Sequence, residues 1–174
     1  MIIKSIAATF SIGIGCLIYI NHPSPVGAFF FSIGLLTVFI LNLNLFTGKI
    51  GFVRNKRDII NVIIILIINL LSSFIFLIYP SVDFNFANKL LSPWYLVIFK
   101  GFICGTLIYL SARKKSLTLI TIPAFILCGA EHCIADMIYL VLTRSFTLSS
   151  FIFIGEVILG NTLGSLFAAY LDNK

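Results

Sequence analysis

Charge is what this sequence has least of. Six Asp and Glu and twelve Lys and Arg make up 10% of 174 residues, where a soluble domain carries roughly 25%. With so little polar surface the chain cannot face water on all sides. At 60% hydrophobic residues and a mean hydropathy of +1.12, it reads as an integral membrane protein. Other signatures are missing too. No CxxC and no Cys/His metal spacing links Cys16, Cys104, Cys128 and Cys133. All four lie in apolar spans, which makes them packing fillers rather than disulfides. No H-E-x-x-H pattern occurs, and neither a metal nor a cofactor is expected. No stretch resembles a soluble domain, a linker or a low-complexity tail. Lys4 followed by an apolar run imitates a signal peptide, but no A-x-A-like site follows, so the first helix is expected to be retained.

What is present is long apolar runs. A helix needs about 20 apolar residues to cross the hydrocarbon core, and six spans are read: about 3–20, 26–53, 58–79, 93–112, 115–142 and 147–170. The second and fifth are too long for simple crossings and carry polar interruptions. Each is expected as two half-helices joined by irregular backbone, which a membrane tolerates only where it lines a cavity or is buried in protein. The fold class is therefore all-α and integral to the membrane, a single transmembrane domain over 1–174.

The basic residues cluster in short loops, Arg54, Lys56 and Arg57 in one and Arg113, Lys114 and Lys115 in another. In that setting they set topology rather than bind nucleic acid. With Lys4 they place both termini in the cytoplasm. The halves, about 1–80 and 90–174, echo one another. Gly15-Cys16-Leu17-Ile18-Tyr19 resembles Gly105-Thr106-Leu107-Ile108-Tyr109, and Ile68-Asn69-Leu70-Leu71-Ser72 resembles Gly160-Asn161-Thr162-Leu163-Gly164. Three spans per half force opposite topologies, hence an inverted 3+3 repeat. Gly101 with Gly105, and Gly160 with Gly164, have the spacing that lets helices approach closely.

The interruptions carry the chemistry. Pro123 to Met137 places Glu131, His132 and Asp136 at membrane depth, and Asn42 to Gly48 breaks the second span. Ionisable groups at that depth are costly and mark functional sites by default. Two broken spans, one per half, suggest a substrate path near the midplane.

These motifs resemble the formate/nitrite transporter family of pentameric, aquaporin-like channels for small anions. Leu45-Phe46-Thr47-Gly48 is similar to the family loop in broken helix two. Gly129-Ala130-Glu131-His132-Cys133-Ile134-Ala135-Asp136-Met137 is similar to its G-F-E-H-S-x-A-N-M signature in helix five. Phe31-Ser32-Ile33-Gly34-Leu35 matches the segment that supplies apolar constrictions. The resemblance implies a pore histidine at His132 with Thr47 as its hydroxyl partner. It implies constrictions at Phe31, Leu35, Leu45, Phe46 and Phe125, and paired structural asparagines at Asn69 and Asn161. It also implies a homopentamer with one pore per protomer, surrounded by membrane lipid. The departures are Asn44 where an acid is usual, Asp136 where the signature has Asn, and Lys100 near a common Asn. Lys89 is a loose counterpart of the family's lysine before the fourth helix.

An anion in an apolar pore loses its hydration shell at a cost of many kcal/mol unless fixed donors or a countercharge replace it. Histidine, with an ordinary pKa near 6.5, supplies a proton or a transient positive charge, and Thr47 can donate one hydrogen bond while accepting another. The expected function is a channel or proton-linked transporter for small monovalent anions such as formate, nitrite or hydrosulfide. The alternative role for His132 is helix packing. Lys100 either faces the pore or pairs with Asp136, Glu131 or Glu156. Glu131 is expected to brace the broken segment. Two other functions stay open: a non-conducting assembly subunit, and an intramembrane enzyme built on Cys133, His132 and Glu131, although neighbouring residues make a poor nucleophile–base pair.

Overall fold

The structure, a computed structural model, describes residues 1–174 as α-helices and short 3₁₀ turns without any strand. The helices are α1 (Ile2–Asn21), α2 (Pro25–Ile40), α3 (Lys56–Ser72), α4 (Ala87–Leu90), α5 (Trp94–Arg113), α6 (Thr118–Leu127), α7 (Cys133–Leu142) and α8 (Leu148–Asp172). Side-chain caps start several of them. Ser24 accepts the Gly27 N–H with Pro25 at the first helical position, Asn55 accepts from Asp58, and Thr147 accepts from Ser150. Each satisfies an amide that a helix start leaves without a partner.

Four helices are long and apolar enough to cross a membrane: α1, α3 with its 3₁₀ extension to Ile78, α5 and α8. Their outward faces are apolar, as at Ile3, Phe10, Phe99, Phe151 and Phe167. In water such faces would be polar. The segments 26–53 and 115–142 behave differently from these four and from each other. The second of them splits into two ten-residue helices, α6 and α7, separated by Cys128 to His132.

The first does not form the two half-helices expected of it. Helix α2 ends at Ile40, and the chain runs as irregular backbone until one 3₁₀ turn at Ile50–Phe52. Asn42 takes the left-handed conformation (φ 49°), which breaks the helix and is a conformation asparagine tolerates better than most residues. Beyond it, a side chain from α3 occupies backbone groups that a second half-helix would need.

Helix α7 is the centre of the molecule. All ten of its residues are buried, and Asp136 is the one formal charge among them. It packs against α1, α8 and the 3₁₀ turn Ser73–Ile78, while α2 lies on α1 and α6. Its apolar residues join Phe31, Leu35, Leu45, Phe46 and Phe125 in one continuous core.

The most intimate helix pair is α5 with α8, and glycine makes it possible. A Cβ at Gly105 would lie 2.2 Å from the Asn161 carbonyl oxygen, and one at Gly164 would lie 2.0 Å from that of Phe102. Both obstacles are backbone, so neither can swing aside. At the cytoplasm-facing end expected from the charge pattern, Asp172 of α8 accepts from Tyr109 Oη (2.8 Å) and Arg113 Nε (2.7 Å) of α5. Phe52 stacks on the same tyrosine at 4.9 Å. Gly105→Ala should therefore lower stability by about 1–3 kcal/mol through overpacking, read as an earlier thermal transition in detergent. Gly155→Ala, where a Cβ meets nothing within 4 Å, should leave that transition unchanged or slightly later.

Candidate functional site

Irregular backbone buried inside a protein has amides and carbonyls that must find partners. Two buried asparagines provide them. Asn69, on α3, accepts the Phe46 N–H on Oδ1 (3.0 Å) and donates from Nδ2 to the Asn44 carbonyl (3.1 Å) and to the Ser5 carbonyl of α1 (2.9 Å). Asn161, on α8, repeats the arrangement. Its Oδ1 accepts the Cys133 N–H (3.0 Å), and its Nδ2 donates to the Glu131 carbonyl (2.8 Å) and to the Gly101 carbonyl of α5 (2.8 Å). Each amide grips the backbone on both sides of one residue: Leu45 in the first case, His132 in the second.

This grip aims His132. Its side chain caps α7, with Nδ1 accepting the Ala135 N–H at 3.1 Å. An Nδ1 that accepts carries no proton, so the neutral ring holds its hydrogen on Nε2. Nε2 lies 2.9 Å from Thr47 Oγ1 and donates to it. The Thr47 hydroxyl makes no other side-chain hydrogen bond and keeps its own hydrogen free for a further acceptor. Both residues are 1% exposed.

One cavity reaches this pair through His132, and a second is lined by the neighbours of Thr47 in the chain. The first, of about 200 Å³, is lined by His132, Phe31 and Phe125 and by the charged residues Lys89, Glu131 and Asp136. Phe125 lies edge-on to Phe31 at 6.1 Å and stacks against the His132 ring at 6.3 Å. The other, of about 230 Å³, is lined by Leu45 and Gly48, on either side of Thr47, and by Phe39, Lys49 and Lys115. Leu35 and Phe46 are buried but line neither cavity.

Lys100 sits elsewhere. It is half-buried on α5, lines neither cavity and has no side-chain ion pair; only its carbonyl takes part, accepting the Glu131 N–H at 3.4 Å. The cation at the site is Lys89 of α4. Its ammonium pairs with Glu131 Oε2, lies 3.0 Å from Asp136 Oδ1, and stands 5.9 Å above the Tyr139 ring. Phe84 stacks on the far end of that arrangement, 5.1 Å from Tyr139. The partners that the sequence allowed to Lys100 thus belong to Lys89, and Glu156 lies in a separate surface recess beside Trp94. The signal was available: two acids at membrane depth need a cation, and the 80–93 loop holds only one.

Comparison with protein-family models and with curated proteins gives no match. Among solved structures the fold is shared with membrane channels. One, described as a pentameric formate channel with formate bound, superposes with a TM-score of 0.83 at 19% identity, covering 99% of this chain and 94% of the other. A second, an ion channel of the FNT family, gives 0.81 at 23% identity over 99% of this chain and 89% of the other. At these identities the likeness is one of fold.

The asparagine clamps make a testable demand. Asn161→Leu keeps the volume but leaves the Cys133 amide and the Glu131 carbonyl buried and unpaired, at about 1–3 kcal/mol each. Its thermal midpoint in detergent should fall steeply, and that of Asn69→Leu likewise. Asn21→Leu, whose amide bonds only an exposed turn at the Leu17 carbonyl, should stay close to the parent.

Proposed function

We propose that this chain is a membrane channel, or proton-linked transporter, for small monovalent anions of the formate, nitrite and hydrosulfide class. The observation that carries the reading is the buried Thr47–His132 hydrogen bond beside a cavity lined by His132, in a fold shared with a formate channel. Segments 26–53 and 115–142 each complete a crossing, giving six, with halves of about 1–80 and 90–174 related as an inverted repeat. The matched grips of Asn69 and Asn161 support that symmetry. Both termini face the cytoplasm, the assembly is a homopentamer with a conduit in each protomer, and Phe31, Leu35, Leu45, Phe46 and Phe125 form the apolar narrows.

The chemistry follows from the neutral ring. His132 donates to Thr47, and Thr47 donates onward to the passing anion, so a single polarised donor replaces part of the lost hydration. Apolar walls penalise a strongly hydrated ion and favour a small, weakly hydrated one or its neutral acid. Lys49 and Lys115 at the mouth of one cavity raise the local concentration of anions. Lys89 stays with its two carboxyls, and Lys100 lends only its carbonyl to the backbone of the interruption. An enzyme reading gains nothing from the arrangement, because both nitrogens of His132 are engaged and neither serves Cys133 as a base.

Purified protein in proteoliposomes should pass formate, nitrite or hydrosulfide, measured by anion-driven swelling or by internal pH. Thr47→Val keeps shape and removes the donor, and should cut that flux about tenfold or more, the equivalent of one charge-assisted hydrogen bond. His132→Asn retains a side chain able to cap α7 but loses the bridge to Thr47, and should fall comparably. Wild-type flux in both variants at every pH would remove the assignment.

A further inference from the structure

Lys89, Glu131 and Asp136 form a cluster whose formal charges do not cancel: one ammonium faces two carboxylates. Their side chains are 20%, 7% and 2% exposed, respectively. The two acids do not share the ammonium equally. Glu131 makes the closer contact, whereas Asp136 reaches it with Oδ1 alone, and its Oδ2 is buried without any hydrogen-bond partner. An ionised carboxylate there leaves a full lone-pair set without a donor and a net negative charge inside the protein.

The surroundings do not offset that charge. The Asp136 amide bonds to the His132 carbonyl, and the His132 ring is neutral with both nitrogens engaged. From its own helix come the Cys133 thiol and the Tyr139 phenol, from α1 the Cys16 thiol, and from α5 the Cys104 thiol. Tyr19 of α1 shares the cavity wall. None of these supplies a cation. The N-terminus of α7 does favour an anion at its first turn, by up to about 2 kcal/mol. Burying a charge without its own counter-ion costs several kcal/mol, which is the larger effect.

We infer that Asp136 is a proton-binding site: it is held as the neutral acid, so that the cluster consists of one ammonium, one carboxylate and one carboxylic acid and is uncharged overall. Resting on the channel reading above, the same group sets the charge seen by an entering anion. With the proton bound, the cavity beside His132 is neutral and admits the anion. When the proton leaves to water at the Lys89 end, the cluster becomes net negative and repels it. The position is Asp in this chain, and an Asn there could not titrate at all.

The infrared carbonyl-stretch band of a protonated carboxylic acid tests the site directly, without any transported species. The purified protein at neutral pH should show this band, and Asp136→Asn should lack it. Glu131→Gln should lack it as well, because one acid then remains for one ammonium and ionises. Lys89→Met leaves two acids and no cation, and its band should grow about twofold if the cluster is to stay uncharged. A wild-type spectrum identical to that of Asp136→Asn overturns the proton site, whatever the flux. In proteoliposomes, wild-type anion flux should fall about tenfold or more as the pH rises through loss of the band, while Asp136→Asn flux stays level over the same range. Parallel pH profiles overturn the control of entry. A wild-type protein that shows the band but passes no small anion refutes the channel reading and leaves the proton site standing.

Discussion

The interaction on which the rest depends is the pair of asparagine amides that hold non-helical backbone together far from water. Without Asn69 and Asn161, residues 44–46 and 131–133 expose amides and carbonyls with nothing to bond. A membrane protein resolves that cost by continuing the helix, which would turn both His132 and Thr47 to other directions. The clamps make the interruptions affordable, and the interruptions are what let an imidazole and a hydroxyl face each other. A further economy lies in His132 itself, which caps α7 and so fixes its own tautomer. The sequence thus spends one side chain on structure and on chemistry at once.

Packing follows from the same requirement. Each asparagine reaches past the interruption to a neighbouring helix, Ser5 of α1 or Gly101 of α5, and it can do so only if those helices lie close. On the α5–α8 side glycine faces give that proximity. On the α1–α3 side Ser5, Thr9 and Asn69 make a small polar knot between the helices, Asn69 Nδ2 donating to the Ser5 carbonyl and to Thr9 Oγ1. Small side chains and clamps are therefore parts of one solution, with α7 buried on every side between them.

Much of this was legible in the residues. Long apolar runs announce α1, α3, α5 and α8, and polar residues within apolar stretches mark where helices stop. The nature of the stop was not legible at 41–53. Hydropathy reports that Leu41, Leu43 and Leu45 are apolar, not that Asn42 adopts a left-handed backbone or that Asn69 claims the neighbouring amides. The contact of Thr47 with His132 spans 85 positions and came into view only through family motifs. Lys89 illustrates the opposite limit. Its loop looks aqueous because Asp83, Asn85 and Asn88 accompany it, yet the chain turns inward there and delivers the ammonium to Glu131 and Asp136. Local composition cannot express that reversal, while the unmatched acids at depth were a hint of it.

Both clamps share an orientation along the chain that bears on biogenesis. Asn69 comes 25 positions after the carbonyl of Asn44 that it holds, and Asn161 comes 30 after that of Glu131. A ribosome therefore releases each gap in the helices before the amide that closes it. Until α8 emerges, the backbone at 131–133 has no side-chain partner from Asn161, and α7 lacks one of the walls that surround it. Helix α8 is thus the keystone of this half of the fold, since the gap before α7 stays open until Asn161 arrives to close it.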